Sequence, residues 1–470
     1  MQISLRRYLL SALLVATGLA GVPSSHARPS GPERFCESYD SSPFCRGSIP
    51  ACRTCHDGPP LLNSYGNEIA SALWDNPRYT GIDDYDVLLS EALVHVEAAD
   101  SDGDGLTNLE EIEMGLWPAD AQSHWLAPVP PEGEANPYFD VGQYDHRFAF
   151  RRVFNLYCGR PPLYEEMTSF QEAVEAGQAD VALREALRTC LSSSYWLEEG
   201  LMRLADAKIR PLKAVGFDGL IPLADYEWDY RLFSHLLSGD RDARDLLRAD
   251  FHIDEDGRRV EGPVAGVGES VFGSGGQPLA PSRRAGMLTT QWFLVIHTMF
   301  SALPRTTAAQ AYRAYLGVDI AKGEGILPVE NEPRDVDEKG VEQPSCAVCH
   351  STIDPLSYAF AAYHGIGTLD SPFDFERSGT YDPTRTPWGT QSSILGEPVD
   401  DLVSWADIAA GSELFQRNLV LMFWQHALGR GPNPSEQEDF HRIWQSLPEH
   451  GFQANHVIEE LVFTPAFGVP

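Results

Sequence analysis

The sequence predicts a mainly α-helical protein of several domains joined by long loops. Its 470 residues suit two to four domains, at about 100 to 200 residues per domain. Apolar residues recur every three to four positions through much of residues 144–247, whereas any strands should be short and local. A glycine-rich stretch, residues 257–281, predicts a long loop.

The composition is that of a folded, acidic protein. Lys plus Arg number 35 against 68 Asp plus Glu, which gives a formal net charge of -33. Nucleic acids and anionic membrane surfaces are bound by basic patches, so the charge excludes both as default partners.

The N-terminus predicts a secretory signal over residues 1–27. Arg6 and Arg7 precede an apolar stretch, residues 8–19, and Ser25-His26-Ala27 resembles a signal cleavage site. A membrane anchor would need about 20 uninterrupted apolar residues, and no stretch of the chain comes close. We therefore expect export to the periplasm or the extracellular space, with no membrane span in the mature chain.

Four of the eight cysteines lie in two copies of Cys-x-x-Cys-His. These are Cys52, Cys55 and His56, then Cys346, Cys349 and His350. Cysteines three residues apart stand on one helical turn, where both sulfurs reach the vinyl groups of a haem and the histidine faces its iron. A zinc site would need a second Cys or His pair nearby, and a redox dithiol has no need of the histidine. The motifs predict two covalently bound haem c groups, with His56 and His350 as proximal ligands.

The remaining four cysteines are expected to form disulfides in an oxidising compartment. Several connectivities are open; we expect Cys36 to pair with Cys45 and Cys158 with Cys190.

Residues 100–111 match the twelve-residue EF-hand calcium loop at every fixed position. Gly105 takes the sharp turn, and the expected ligands are Asp100, Asp102, Asp104, Leu106 (through its carbonyl), Asn108 and Glu111. The alternative is an acidic, solvated turn. Because the chain has a single such loop, a structural Ca²⁺ that clamps the first haem domain is favoured over a calcium sensor.

The sixth iron ligand decides what each haem can do. The candidates are His95, Met114 and His124 for the first haem, and His297, Met299 and His364 for the second. Met287 and Met422 lie among apolar helical neighbours and are expected in the core.

The predicted domain division follows these motifs. It comprises a signal (1–27), a haem c domain with the calcium loop (28–127), a proline-rich linker (128–143), a helical domain with the glycine-rich loop (144–282), a second haem c domain (283–390) and a C-terminal helical segment (391–470). Within it, helices are expected near 87–96, 109–116, 287–303, 412–428 and 455–463.

From about Tyr144 onward the chain resembles the planctomycete-type cytochrome C domain families. The resemblance rests on residues 284–289 (Arg-x-Gly-x-Leu-Thr), on residues 346–360 (Cys-x-x-Cys-His-x-x-Ile-Asp-Pro and beyond), and on the flanking segments 144–166 and 428–430. Gln291 stands near where a histidine is expected, and Ser357 replaces the usual glycine. Separately, residues 52–66 and the calcium loop are similar to a small exported haem module. The resemblance implies haem c and electron transfer, without a settled substrate.

Two function classes remain open at this stage. An electron-transfer protein would have two six-coordinate haems and, given its charge, a redox partner with a basic docking face. A di-haem, peroxidase-like redox enzyme would keep one iron open; the mass and the glycine-rich loop favour it. Apart from the Cys-x-x-Cys-His motifs, no stretch resembles the di-haem peroxidase family, so electron transfer is expected. The sequence leaves enzyme activity and oligomeric state undecided.

Overall fold

A computed structural model describes most of the chain outside its N-terminus. The described residues are 30–45, 50, 52–58, 61–81, 84–121, 123, 143–210, 224–264, 276–298, 303–322, 350, 353–365, 379–387 and 389–470. The prediction of a mainly α-helical protein is confirmed. The predicted signal (1–27) and nearly all of the predicted linker (128–143) lie outside the described residues.

Four helices and one small hairpin make up residues 30–121. The helices are α1 (Ser30–Ser38), α2 (Ser64–Trp74), α3 (Tyr85–His95) and α4 (Asn108–Met114). The hairpin pairs β1 (His56–Gly58) with β2 (Leu61–Leu62). Apolar residues from these helices bury one another in a core that includes Phe35, Tyr65, Ile69, Leu89, Leu93 and Ile112.

The sequence explains where two of these helices begin. Asn63 precedes α2 and accepts a hydrogen bond from Gly66 N, which satisfies one amide of the first turn. Thr107 and Glu110 form a capping box at the start of α4. Gly115 ends α4 in the left-handed region, at φ 77°.

Residues 143–470 add thirteen helices within the described ranges. They are α5 (His146–Tyr157), α6 (Tyr164–Glu175), α7 (Ala179–Leu191), α8 (Leu201–Ile209), α9 (Glu227–Leu236), α10 (Asp245–Arg248), α11 (Gln291–Thr298), α12 (Arg305–Ala311), α13 (Leu402–Gly411), α14 (Glu413–Leu428), α15 (Gln437–Ser446), α16 (Ala454–Val462) and α17 (Pro465–Gly468).

One hydrophobic core runs from residue 149 to residue 467. Its largest fully buried side chains include Trp196, Trp405, Trp424, Tyr157 and Tyr312. Met287 is buried in this core and Met422 packs against it, as expected from their apolar neighbours.

Two antiparallel hairpins interrupt the helices. β3 (Phe251–Ile253) pairs with β4 (Arg259–Glu261), and β5 (Ser392–Ile394) pairs with β6 (Glu397–Val399). The predicted glycine-rich loop therefore starts inside a hairpin, and Val264 and Gln277 then form an isolated bridge. The expected helix over 287–303 is also broken: residues Gly286–Thr289 form a 3₁₀ turn before α11 begins.

The same turn joins two helices at two places in the chain. Each copy holds a left-handed glycine, an arginine and a glutamate: Gly159, Arg160 and Glu166 after α5, and Gly429, Arg430 and Glu436 after α14. In both, the guanidinium donates two hydrogen bonds to the carboxylate, at 2.7 and 2.8 Å in the first copy and 2.6 and 2.7 Å in the second.

The helices that flank these two turns pack against each other. Arg152 on α5 donates hydrogen bonds to the carbonyls of Phe467 and Ala427, each at 2.8 Å. Tyr144 donates to the carbonyl of Val462 at 2.9 Å. The C-terminal helices therefore complete a core that begins with α5, more than 250 residues earlier in the chain.

Both expected disulfides are confirmed. Cys36 pairs with Cys45 and Cys158 with Cys190, with Cα–Cα distances of 5.4 and 4.6 Å. The first bond ties α1 to the segment that leads to the first motif, and the second ties the end of α5 to α7. Within the described ranges, no helix has the length and apolar character that a bilayer crossing requires.

The buried carboxyl of Asp229 predicts a pH-dependent stability. Asp229 is 1% exposed and accepts a hydrogen bond from Thr290 Oγ1 at 2.5 Å. Burial raises its pKa to about 8, against about 3.9 in an unfolded chain. A raised folded-state pKa gives stability below pH 4 that is lost as the pH rises from about 4 to about 8.

We expect Asp229→Asn to remove this loss, because the amide mimics the neutral acid and still accepts from Thr290. Above pH 8 the variant should exceed the wild type in free energy of unfolding by on the order of a few kcal/mol. Melting temperatures at pH 5, 7 and 9 measure the slope. Glu227→Gln, an exposed acid on the same helix, is the control. Parallel pH curves for Asp229→Asn and the wild type would contradict the assignment.

Candidate functional site

The first Cys-x-x-Cys-His motif folds as a tight turn that runs into a strand. Residues Cys52–Thr54 form a 3₁₀ turn, and His56 begins β1. The 3₁₀ turn thus contains Cys52, Cys55 follows it directly, and His56 lies in the strand. The four cysteines outside the motifs are joined in disulfides.

The ring of His56 is oriented by the hairpin that it begins. Its Nδ1 lies 3.3 Å from the carbonyl oxygen of Leu61 on β2. A carbonyl can only accept, so Nδ1 carries the ring proton and the lone pair lies on Nε2. A histidine that ligates a metal through one nitrogen usually donates from the other in this way. His56 thus has the tautomer that an iron ligand needs.

Asn63 and Gly66 fasten the motif to the start of α2. The Asn63 amide donates to the carbonyls of Arg53 and Thr54, at 2.9 and 3.2 Å, while its backbone N–H donates to Cys55 O at 3.1 Å. A Cβ on Gly66 would lie 2.0 Å from Cys55 O, so only glycine allows this approach. The position of the attachment cysteines therefore depends on the cap of α2.

The predicted calcium loop closes around its own aspartates. Asp100 accepts from the backbone N–H groups of Gly103 and Gly105, and Asp104 accepts from that of Leu106. Gly105 has φ 99°, as the sharp turn at this position requires. One carboxylate oxygen from each of Asp100, Asp102 and Asp104 lies within 4.8 Å of the others.

Glu111 provides an independent sign that a cation belongs in this loop. The side chain is fully buried, and neither carboxylate oxygen has a hydrogen-bond partner among the described residues. Burial and the charges of Asp102, Asp104 and Asp100 raise its pKa to about 8. An unpaired buried carboxylate is costly, and a bound divalent cation removes that cost. The residues present therefore fit Ca²⁺.

Asn108 is held by hydrogen bonds within the loop. It is buried, its Oδ1 accepts from Ser101 N at 3.2 Å, and its Nδ2 donates to Val96 O at 2.7 Å. Its side chain thus braces the loop, and its role as a calcium ligand stays a prediction. Ser101 also donates to Glu68 on α2 at 2.7 Å. The calcium loop is consequently tied to the helix that fastens the first motif.

His95 ends α3 and lies at a surface cavity. It is exposed and lines a cavity of about 740 Å³ together with Asn67, Glu68 and Ser71 of α2. None of the described motif residues lines this cavity. Met114 is half-buried on α4, and His124 lies outside the described residues. The role of His95 as a distal ligand stays a prediction.

Of the second motif, His350 is described, whereas Cys346 and Cys349 lie outside the described residues. Nδ1 of His350 lies 3.0 Å from Oδ1 of Asp354. Asp354 is buried and also accepts two hydrogen bonds from Arg305, at the start of α12; the Nη2–Oδ2 bond measures 2.7 Å. Since a carboxylate accepts, Nδ1 of His350 donates and its lone pair lies on Nε2.

Two candidate distal ligands for the second haem are placed at opposite ends of α11. His297 lies near its C-terminal end, is 7% exposed, and has an Nε2 without a hydrogen-bond partner among the described residues. Burial lowers its pKa to about 3, so it is neutral, as a ligand must be. Next to it, Thr298 is hydrogen-bonded to Thr307 on α12 at 2.9 Å. This end of α11 therefore adjoins α12, whose first residue, Arg305, binds the carboxylate of Asp354.

His364 lies beside the first residue of α11. Gly379 donates its N–H to His364 O at 3.0 Å, and a Cβ on Gly379 would lie 2.8 Å from Gln291 Cγ. Nε2 of His364 is 3.8 Å from a carboxylate oxygen of Asp382. Met299 lies outside the described residues.

Four residues important to these sites were given no role from the sequence: Asn63, Glu68, Arg305 and Asp354. A signal existed for Asp354, because an acid four residues after the motif histidine falls on the same helical face. A signal also existed for Asn63, since asparagine commonly caps helices. Arg305 and Glu68 reach their partners from distant positions and gave no local signal.

One family matches part of the chain. Residues 396–467, from β6 to α17, match the family described as "Protein of unknown function (DUF1585)", a domain found in cytochrome c-like proteins. The match includes the second Gly-Arg turn and excludes both Cys-x-x-Cys-His motifs. No curated protein and no solved structure matches the chain.

We predict that Glu111→Gln weakens calcium-dependent stabilisation of the first domain. A ligand at a concentration 100 times its Kd stabilises the folded state by about 2.7 kcal/mol. Calorimetric titration of chelator-treated, full-length protein should give a Ca²⁺ affinity roughly tenfold or more weaker, because the closing carboxylate is lost. The neighbouring Glu110→Gln keeps the capping box and should bind like the wild type. Equal affinities in all three proteins would show that the loop does not use Glu111.

We also predict that Asn63→Ala weakens haem attachment at the first motif. The variant loses the cap of α2 and both side-chain bonds to the motif, at a cost of about 1 to 2 kcal/mol. Haem content at Cys52 and Cys55, measured by mass spectrometry, should fall together with the melting temperature of the first domain. Asn67→Ala removes an amide that contacts α2 and β2 alone and should leave attachment intact.

Proposed function

We propose that this protein is an exported di-haem c-type cytochrome that transfers electrons between redox partners. The main support is the arrangement of the two motif histidines: each donates from Nδ1 to a fixed acceptor, Leu61 O or Asp354, and so presents Nε2 as the ligating nitrogen. Each haem, bound through a Cys pair and this histidine, would supply one-electron redox chemistry. Cys52, Cys55 and His56 would hold the first, and Cys346, Cys349 and His350 the second.

Several further observations agree with this proposal. The DUF1585 match supports a place among cytochrome c-like proteins. The formal charge of -33 favours a partner with a basic docking face and a salt-sensitive association rate. The calcium loop, tied to α2 through Ser101 and Glu68, would hold a structural Ca²⁺ beside the first haem.

Haem counts and spin states test the proposal. The pyridine haemochrome assay of the wild type should give two haems per chain. Cys349→Ala should give one, because a motif left with one cysteine can form only a single thioether bond and is not expected to retain its haem through export. Cys55→Ala should also give one, and the double variant none. An unchanged count in Cys349→Ala would remove the second attachment site.

Low-temperature EPR of the oxidised holoprotein then separates the two function classes. Two low-spin signals are expected for electron transfer, because both irons would be six-coordinate. His297→Ala and His364→Ala show which side chain supplies the sixth ligand of the second haem. A high-spin component in the wild type would instead indicate an open iron and a redox enzyme, with peroxide as the first substrate to add.

A further inference from the structure

The two motif histidines have chemically different hydrogen-bond acceptors. Nδ1 of His56 donates to a neutral backbone carbonyl, at 3.3 Å. Nδ1 of His350 donates to the side chain of Asp354, at 3.0 Å. A hydrogen bond to a charged acceptor is roughly twice as strong as a bond between neutral groups. The two histidines therefore differ in electron density although their sequence motifs are identical in form.

Asp354 is held in place by its surroundings. Its side chain is 2% exposed, and Arg305 binds both of its carboxylate oxygens. The backbone carbonyl of Asp354 accepts from the N–H and the hydroxyl of Ser357, at 2.9 and 2.8 Å. A buried carboxylate whose two oxygens both accept from Arg305, on a backbone held by Ser357, keeps one orientation toward the imidazole. The contact with His350 is therefore a built feature of the fold.

A carboxylate at Nδ1 makes an imidazole a more basic ligand. A more basic ligand stabilises ferric over ferrous iron, and hydrogen bonding to an axial ligand is one of the ways in which proteins set haem potentials. We propose that Asp354, oriented by Arg305, is a positioning residue that lowers the reduction potential of the second haem. This inference rests on the proposed haem attachment at His350.

Potentiometric titration of the full-length holoprotein, followed by visible absorbance, tests the inference. Haem content is measured first in every variant. A count below two would indicate a failure of haem attachment, on which the proposed function rests, whereas a count of two allows the reduction potentials to be compared. The Cys349→Ala protein, with the first haem alone, identifies which of the two one-electron waves belongs to the second haem.

Asp354→Asn should raise the potential of the second haem, while the first-haem wave stays in place. We expect at least a tenfold change in the ferric–ferrous equilibrium, which corresponds to 59 mV for a one-electron couple. Asp319→Asn removes an equal charge, from an acid paired with Arg313 near α12, and should shift neither wave.

The double variant Asp354→Asn/Arg305→Gln covers the case in which a lone buried guanidinium prevents folding. It removes one negative and one positive charge, so the net charge near the haem is unchanged and the remaining difference is the acceptor at Nδ1. Its potential should still rise above that of the wild type. An unchanged second wave in the double variant, with two haems bound, would overturn the proposal, as would an equal shift of both waves.

Discussion

A histidine that ligates a metal through one nitrogen almost always donates the proton on its other nitrogen to an acceptor, which fixes the tautomer and the orientation of the ring. This constraint links the Cys-x-x-Cys-His motifs to the rest of the fold. For His56 the acceptor is supplied by a two-residue strand, β2, which directly precedes α2. For His350 it is supplied by Asp354, one helical turn later. Each acceptor must itself have a fixed position, and hydrogen bonds from the surrounding structure provide it.

The first domain holds its motif through the start of one helix. Asn63 caps α2 and binds the carbonyls of the motif turn, so the same side chain fixes both elements. Farther along α2, Glu68 accepts a hydrogen bond from Ser101 in the calcium loop. The motif turn and the acidic loop are thus attached to one helix, so the proposed haem site and the proposed calcium site would share the same support.

The parts of the structure that the sequence predicted are those with local causes. The helices near 87–96 and 455–463 and both disulfides follow from spacing within short segments. Within the expected helix near 87–96, Val87 is exposed, whereas Leu88 and Leu89 are buried in the core. The bond between Arg305 and Asp354 spans 49 residues, and no local pattern indicates which of many arginines reaches a given acid.

The same reasoning explains why two identical motifs need not have identical chemistry. The motif specifies attachment and the proximal ligand, and both are local properties. The acceptor behind the ligand depends on tertiary structure, because Arg305 reaches Asp354 only when α12 packs next to the second motif. α12 in turn belongs to the core that the C-terminal helices complete. The DUF1585 region, which holds neither motif, therefore contributes to the second site by fixing the scaffold that keeps a charged acceptor against His350.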